Sequence, residues 1–198
     1  MENALAAVAI LLAVRTSLEQ IRLGLKSFNP DIQSNPGRFN LFPMGDFQIM
    51  LDYGHNPAGY SAVLKFLQKM EAKRLVGVIG VPGDRLDRNI AEVGQICGNA
   101  FSKIYIKEDR DLRGRASGEV AEILYHAVMQ TGIKKESVTV IPSELQALET
   151  AMLDAQPGDL IVMMYEEFEA AVEMIQKFKE EMEASEVQVE IGLEEPAG

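Results

Sequence analysis

Cysteine is nearly missing from this chain. Cys97 stands alone in 198 residues, so no internal disulfide can form, and the chain suits a reducing compartment. Cys97 falls in a helical pattern with Val93, Ile96 and Phe101, the setting of a small core residue rather than a nucleophile. Histidine is scarce as well. His55 and His126 are the only two, and without a Cys/His cluster no protein metal cage is expected. Positive charge is in deficit: 19 Lys and Arg face 30 Asp and Glu, a net charge of −11. That balance argues against nucleic acid or an anionic membrane as a general partner. No apolar run reaches membrane-spanning length. Ala4 to Val14 is too short to cross a bilayer, and Glu2 stands where a signal peptide would be positive. A cytoplasmic protein without a membrane segment is expected. Three motifs are also missing. There is no Gly-x-x-x-x-Gly-Lys-Ser/Thr phosphate loop, no Gly-x-Gly-x-x-Gly dinucleotide fingerprint and no nucleophile elbow. Redox chemistry on a dinucleotide and serine-type hydrolysis lose their support, and no catalytic residue and no metal ligand is assigned.

What is present is an alternation of helix and strand patterns. Residues 3 to 14 read as a helix that is apolar on nearly all faces, and such a helix needs neighbours on all sides. Ser17 caps a second short helix, Leu18 to Ser27, with Ile21, Leu25 and Phe28 on one face. Asn35-Pro36-Gly37 marks a connector and a domain boundary. Phe39 to Met44 and Phe47 to Tyr53 are strand-like runs joined at Gly45-Asp46, compatible with a hairpin. Helix patterns then follow from Pro57, Leu86, Gly118, Ser143 and Phe168. Strand patterns fall at Leu75 to Ile79, Ile104 to Ile106, Val138 to Ile141 and Leu160 to Met164. Wholly apolar strands alternating with helices mean an α/β fold: a Rossmann-like, mostly parallel sheet with helices on both faces. The last helix is expected to end near Met182, with residues 183–198 as an acidic mobile tail.

Right-handed crossovers bring the strand C-termini to one sheet edge, where ligands bind in open α/β folds. The loops on the opposite edge are plain solvated turns. Those at the strand ends carry Tyr53-Gly54-His55-Asn56, Gly80 to Asp87, Lys107 to Arg115, Pro142-Ser143-Glu144 and Tyr165-Glu166-Glu167. Asn56 fits an N-cap and Pro57 the first helical position. This turn is either a well-capped connection or an anion or nucleotide site. Five of nine arginines lie between Arg85 and Arg115. They match a carboxylate or phosphate bidentately, or they pair with Glu108, Asp109, Asp111 and Glu119. Asp84 is also a candidate helix cap.

Asp52-Tyr53-Gly54-His55-Asn56-Pro57 resembles the Asp-Tyr-Ala-His-Asn/Thr-Pro motif that opens the C-terminal domain of Mur ligases. Gly83-Asp84-Arg85-x-Asp87 resembles the Gly-Asp-Arg-Asp turn of the same domain. Asn35-Pro36-Gly37-Arg38-Phe39-Asn40 and the run Glu108 to Arg115 narrow the resemblance to the cyanophycin synthetase branch of that family. The resemblance divides the chain into residues 1–34, a helical remnant of a Mur-type central domain with its linker; 35–182, the C-terminal-like α/β domain; and the tail, 183–198. It implies an ATP-dependent ligase that joins arginine to an aspartate side chain through an acyl-phosphate. Nucleotide contacts are implied for Asp52, Tyr53, His55, Asn56, Gly83, Asp84 and Arg85. Contacts to the incoming amino acid are implied for Glu108, Asp109, Asp111, Arg113, Gly114 and Arg115, the acids receiving its guanidinium. The Mur motif Asp-Asn-Pro-Arg is not reproduced literally, so the register of residues 108–115 stays open, with Arg113 its nearest equivalent. The phosphate loop, the Mg2+ ligands and the ATP-grasp half of such enzymes are absent from these 198 residues. The expectation is a fragment, a truncated paralogue or one partner of a split enzyme, inactive alone, with ATP-bound Mg2+ held mainly by other domains. Residues 3–14 are then a candidate surface for a partner chain or a homo-oligomer, the rival reading being a non-catalytic binding or assembly module.

Overall fold

The computed structural model describes residues 2–27 and 35–192, and the side chains of 4–27 and 35–185. Two compact units divide at Pro36 and Gly37. In the first, α1 (Glu2–Ala13) and α2 (Leu18–Ser27) are separated by a short turn. Ser17 forms a capping box: its hydroxyl accepts the Gln20 amide at 3.2 Å, and the Gln20 side chain accepts the Ser17 amide at 3.2 Å. The apolar surface of α1 lies open, with Leu5 65% and Ile10 64% exposed. On α2 only Ile21 is buried; Leu25 is exposed, and Phe28 lies outside the described residues.

In the second unit β1 (Asn40–Met44) and β2 (Phe47–Asp52) form the expected antiparallel hairpin across Gly45-Asp46. The chain continues through α3 (Pro57–Leu67), β3 (Arg74–Ile79), α4 (Asp87–Ala100), β4 (Lys103–Ile106), α5 (Glu119–Met129), β5 (Val138–Val140), α6 (Glu144–Leu153), β6 (Asp159–Met164) and α7 (Phe168–Gly192). The six strands run in the order β1-β2-β6-β3-β4-β5, all parallel beyond the hairpin. This is the mostly parallel α/β architecture the strand patterns require.

Strand alternation sends side chains to two cores. Met50, Ile79, Ile104, Leu160 and Val162 pack with α3, α4 and α5 on one face. Ile49, Leu51, Val76, Val78, Ile161 and Met163 pack with α6 and α7 on the other. Cys97 is fully buried, and burial pushes its thiol well above the ordinary value, so it is a core residue. Burial at about 25 cal/mol per Å2 of apolar surface drives this packing. The first helix after the hairpin starts where the sequence places it: Asn56 accepts the Gly59 amide at 2.8 Å and Pro57 opens α3.

Two expectations change. The last helix does not stop near Met182; α7 runs to Gly192, through much of the stretch read as tail. Glutamates, glutamine and alanine there are good helix formers, and Lys177–Glu181 and Lys179–Glu183 are i,i+4 pairs along the same helix. Residues 193–198 lie outside the described residues. Asp84 does not cap α4. The cap position is Leu86, with no side-chain bond, and Asp84 turns to Arg113 instead.

Candidate functional site

Sheet register brings the strand ends level. Asp52 pairs with Met164, Ile79 with Ile106 and Ile106 with Val140. The loops that leave these residues therefore share one edge. Because β6 inserts between β2 and β3, the loop after β6 sits between the Tyr53–Asn56 and Gly80–Leu86 loops. Tyr165 and Glu166 thus occupy the middle of the edge, a placement that depends on strand order rather than on any local signal.

On one side Tyr53 is the organising aromatic. Its ring lies 5.0 Å from His55, 5.6 Å from Tyr165 and 4.8 Å beneath the Arg38 guanidinium. Such a cation–ring contact contributes on the order of 0.5–1 kcal/mol at an exposed site. Asp52 is buried and accepts the Phe39 amide at 3.1 Å. Burial raises its carboxyl above the ordinary range, an effect the Phe39 amide and Arg38 partly offset. His55 Nδ1 lies 3.0 Å from the Tyr53 carbonyl, and the Arg85 guanidinium approaches the His55 carbonyl at 3.4 Å. A cleft of about 150 Å3 opens among Tyr53, His55, Pro82, Arg113, Tyr165 and Glu166. Arg38, a residue of the Asn35–Asn40 motif, joins this cluster through its position over Tyr53.

The Gly83 loop and the Lys107–Arg115 loop are joined. A Cβ on Gly83 would overlap the carbonyl oxygen of Leu112, so only glycine allows this close approach. Arg113, at φ +49°, donates to Asp84 at 2.9 Å. That bond, with Arg85 nearby, holds the Asp84 carboxyl below its usual range and lifts Arg113 above its own. Asp84, Arg85, Arg113, Tyr53 and His55 are thereby brought together, each with a solvent-facing portion. Asn56 spends its side chain on the α3 cap. Gly114, at φ +89°, stands in open space.

Two residues assigned to the amino-acid side have other duties. Glu108 is 5% exposed; its oxygens accept the Gly118 amide at 2.7 Å and the Ala121 amide at 3.1 Å, capping the N-terminus of α5. Arg115 donates to the carbonyls of Gly83 at 2.6 Å and Arg85 at 2.7 Å, and to Asp87 and Glu119 at 2.6 Å each. It is a fastener between the Gly83 loop and α5, with all three guanidinium nitrogens occupied. Pairing with Glu119 is the alternative the sequence offers for Arg115; the Glu108 cap reaches ten and thirteen residues forward to Gly118 and Ala121, beyond any local pattern.

Three residues outside the sequence-derived set enter here. Lys107 is 1% exposed and bonds to Asp109 at 2.8 Å and Glu144 at 2.6 Å. Glu144 also accepts the amides of Glu166 and Glu167 at 2.7 and 3.0 Å. Glu166 accepts the Arg110 amide at 2.6 Å. Asp109, Glu144 and Glu166 offer oxygens within 4.8 Å of one another. The Lys107 ammonium already sits on two of the three, so the chain supplies the cation that this group needs. A larger hollow of about 450 Å3 lies beside them, lined by Asp109, Arg110, Ser143, Glu144, Glu166 and Glu167 among others.

Among the described residues no helix is long and apolar enough to cross a membrane. Comparison with known proteins gives a consistent picture. A cyanophycin synthetase of Geminocystis herdmanii is 42% identical over 176 residues, covering 89% of this chain and 20% of the relative. A UDP-N-acetylmuramoyl-L-alanyl-D-glutamate–2,6-diaminopimelate ligase of Clostridium acetobutylicum is 30% identical over 81% of this chain and 32% of the relative. The chain thus spans about a fifth of the length of its cyanophycin synthetase relatives. Among solved structures, the UDP-N-acetylmuramate–alanine ligase MurC of Thermotoga maritima superposes with a TM-score of 0.66 at 15% identity, over 92% of this chain and 37% of the other. FolC of E. coli in complex with ADP gives 0.62 at 22% identity, over 93% and 40%. These two show the fold. The family described as Mur ligase, glutamate ligase domain, matches residues 37–164, the whole six-stranded sheet, and the chain belongs to that family.

Proposed function

We propose that this strand-end edge holds the nucleotide and the incoming amino acid of an ATP-dependent amide-bond-forming ligase, one that adds arginine to an aspartate side chain. The observation that carries the reading is the Asp84–Arg113 bond at 2.9 Å, which locks the two motif-bearing loops together beside Tyr53 and His55. The 42% identity to a cyanophycin synthetase supports the substrate class. ATP, when bound, supplies the phosphoryl group that activates the carboxylate. The residues present fit such a ligand: Tyr53 and His55 offer ring faces for a base, and Arg38, Arg85 and Arg113 offer guanidinium groups for phosphate or carboxylate. Asp111 stands on the amino-acid side, where it would receive a guanidinium, while Asp109 is buried against Lys107 and helps to hold the loop. Glu108 and Arg115 act by holding the loop and are not counted as ligands in this reading.

Mg2+ and the phosphate loop of the reaction would come from residues outside these 198, since positioning and charge neutralisation of the phosphates need them. The purified chain is therefore expected to bind but not to ligate. Calorimetric titration of the full chain with ATP, then with L-arginine, tests the binding. Saturable heat for both is the expected result, with Arg113→Ala weakening the binding roughly tenfold to hundredfold, the worth of a charge-assisted bond of about 1.5–3 kcal/mol. Absence of heat with either ligand at millimolar concentration, or ligation by the chain alone, would overturn the proposal.

A second reading, a module that docks or self-associates through α1, has one observation in its favour: the open apolar surface of that helix. Molar mass in solution with and without residues 1–30 decides it. A monomer in both forms would exclude self-association.

A further inference from the structure

We infer that Lys107 is a positioning residue for the loop of residues 108–115, acting through a closed ring with Glu144 and Glu166. The inference rests on the amino-acid role proposed for that loop. The ring can be followed bond by bond. Lys107 leaves the end of β4 with its amide on the Ile79 carbonyl at 2.8 Å, so its backbone belongs to the sheet. Its ammonium reaches Glu144 at the first position of α6. Glu144 accepts the Glu166 and Glu167 amides and so fixes the turn after β6. Glu166, on that turn, accepts the amides of Arg110 at 2.6 Å and Asp111 at 3.4 Å. The loop then returns through Asp109, which accepts from Lys107 at 2.8 Å. Asp111 accepts the Arg113 amide at 3.0 Å, and Arg113 reaches Asp84, so the ring extends to the nucleotide side of the edge.

Charge explains why lysine stands at the centre. Burial, the largest influence, pushes its ammonium toward neutrality; Glu144 and then Asp109 outweigh it, and the net shift is upward. The ammonium stays charged and pairs with Asp109 and Glu144, and oxygens of these two and of Glu166 lie within 4.8 Å of one another. An apolar residue of similar length would leave Asp109 and Glu144 buried without a counter-charge, and their repulsion would open the ring. No other contact described for the Arg110 and Asp111 amides holds this part of the loop. The geometry thus makes the loop's shape depend on a buried side chain that also lies at the floor of the Tyr53–Arg113 cleft.

Hydrogen exchange on the full chain, without ligand, tests the ring directly. In Glu166→Ala the amides of Arg110 and Asp111 lose their acceptor while the buried Lys107 pair is left in place, so the fold should survive. These two amides are expected to exchange at least tenfold faster, with β4 and β6 amides unchanged. Lys107→Met is expected to release the same two amides and also those of Glu166 and Glu167. Adding Glu144→Gln to Lys107→Met removes one unpaired charge and should restore part of the protection. L-arginine titration of Glu166→Ala is the second readout: affinity falls roughly tenfold at unchanged melting temperature. Unchanged exchange at Arg110 and Asp111 in Glu166→Ala would overturn the inference even if Lys107→Met fails to fold. If the wild-type chain shows no arginine binding, the reading of the site fails, while exchange still decides the ring.

Discussion

Glu108 separates a structural from a substrate-binding reading of the acidic loop. Its carboxylate is buried and accepts two amides of the first turn of α5, from Gly118 at 2.7 Å and Ala121 at 3.1 Å. Gly118 sits at φ +89° and brings no side chain of its own to the cap. Glu108→Ala therefore removes a cap worth about 1 kcal/mol. It also leaves donors in a part-buried setting without partners, which costs about 1–3 kcal/mol more. The sum is roughly 3 kcal/mol. For a chain of this size each kcal/mol moves the melting temperature by about 2–4 °C, so a fall of about 6–12 °C follows. Glu108→Gln keeps the length and one acceptor oxygen, and should cost about 1 kcal/mol. Urea and thermal unfolding of the full chain, followed by far-UV circular dichroism, measure both. Had Glu108 served to receive a guanidinium, Glu108→Ala would leave unliganded stability untouched and weaken only arginine binding. A Glu108→Ala protein within about 0.5 kcal/mol of wild type would refute the capping argument.

Other consequences can be checked in the same assays. Tyr60 is fully buried, and its hydroxyl donates to the Gly80 carbonyl at 2.7 Å and accepts the Gly80 amide at 3.2 Å. Tyr60→Phe strands both groups and should lower the unfolding free energy by about 1–3 kcal/mol. Gly83→Ala places a methyl against the Leu112 carbonyl. It should destabilise by about 1–3 kcal/mol and displace the 108–115 loop, seen as faster exchange there. Asp52 carries a raised carboxyl, so it binds its proton more tightly folded than unfolded, and stability declines as pH rises from the ordinary value of 3.8 through the folded one. Asp52→Asn removes that decline. Its urea midpoint relative to wild type should improve from pH 3 to pH 7, and a constant difference would contradict the burial argument.

The sheet and its helices were legible because strand and helix periodicities are strong here. Leu160 to Met164 is a short, wholly apolar run after Pro157-Gly158, the pattern of a strand buried on both faces, and Asn56-Pro57 supplies the cap and first position of the helix that follows. The edge was legible for a topological reason: parallel strands put their C-termini together. Individual side-chain duties were not. Asp84 reads as a cap in isolation, yet Arg113 competes for it from 29 residues away. Glu108 looks like a loop charge until the start of α5 folds back onto it, and Arg115 until the Gly83 loop lies beside it. Lys107, Glu144 and Glu166 come from the ends of different strands and meet only because β6 inserts between β2 and β3. The helix beyond Met182 is hidden in the sequence because its acidic residues favour both a solvated tail and a helix.

The central claim is that one sheet edge carries a nucleotide side and an amino-acid side. Amide chemical shifts of the full chain, titrated with ATP and then with L-arginine, test it most directly. The account predicts that ATP perturbs residues 52–56 and 83–85, and that arginine perturbs 108–115 together with Glu166 and Glu167. Shifts confined to the opposite sheet edge, or none at millimolar ligand, would contradict it.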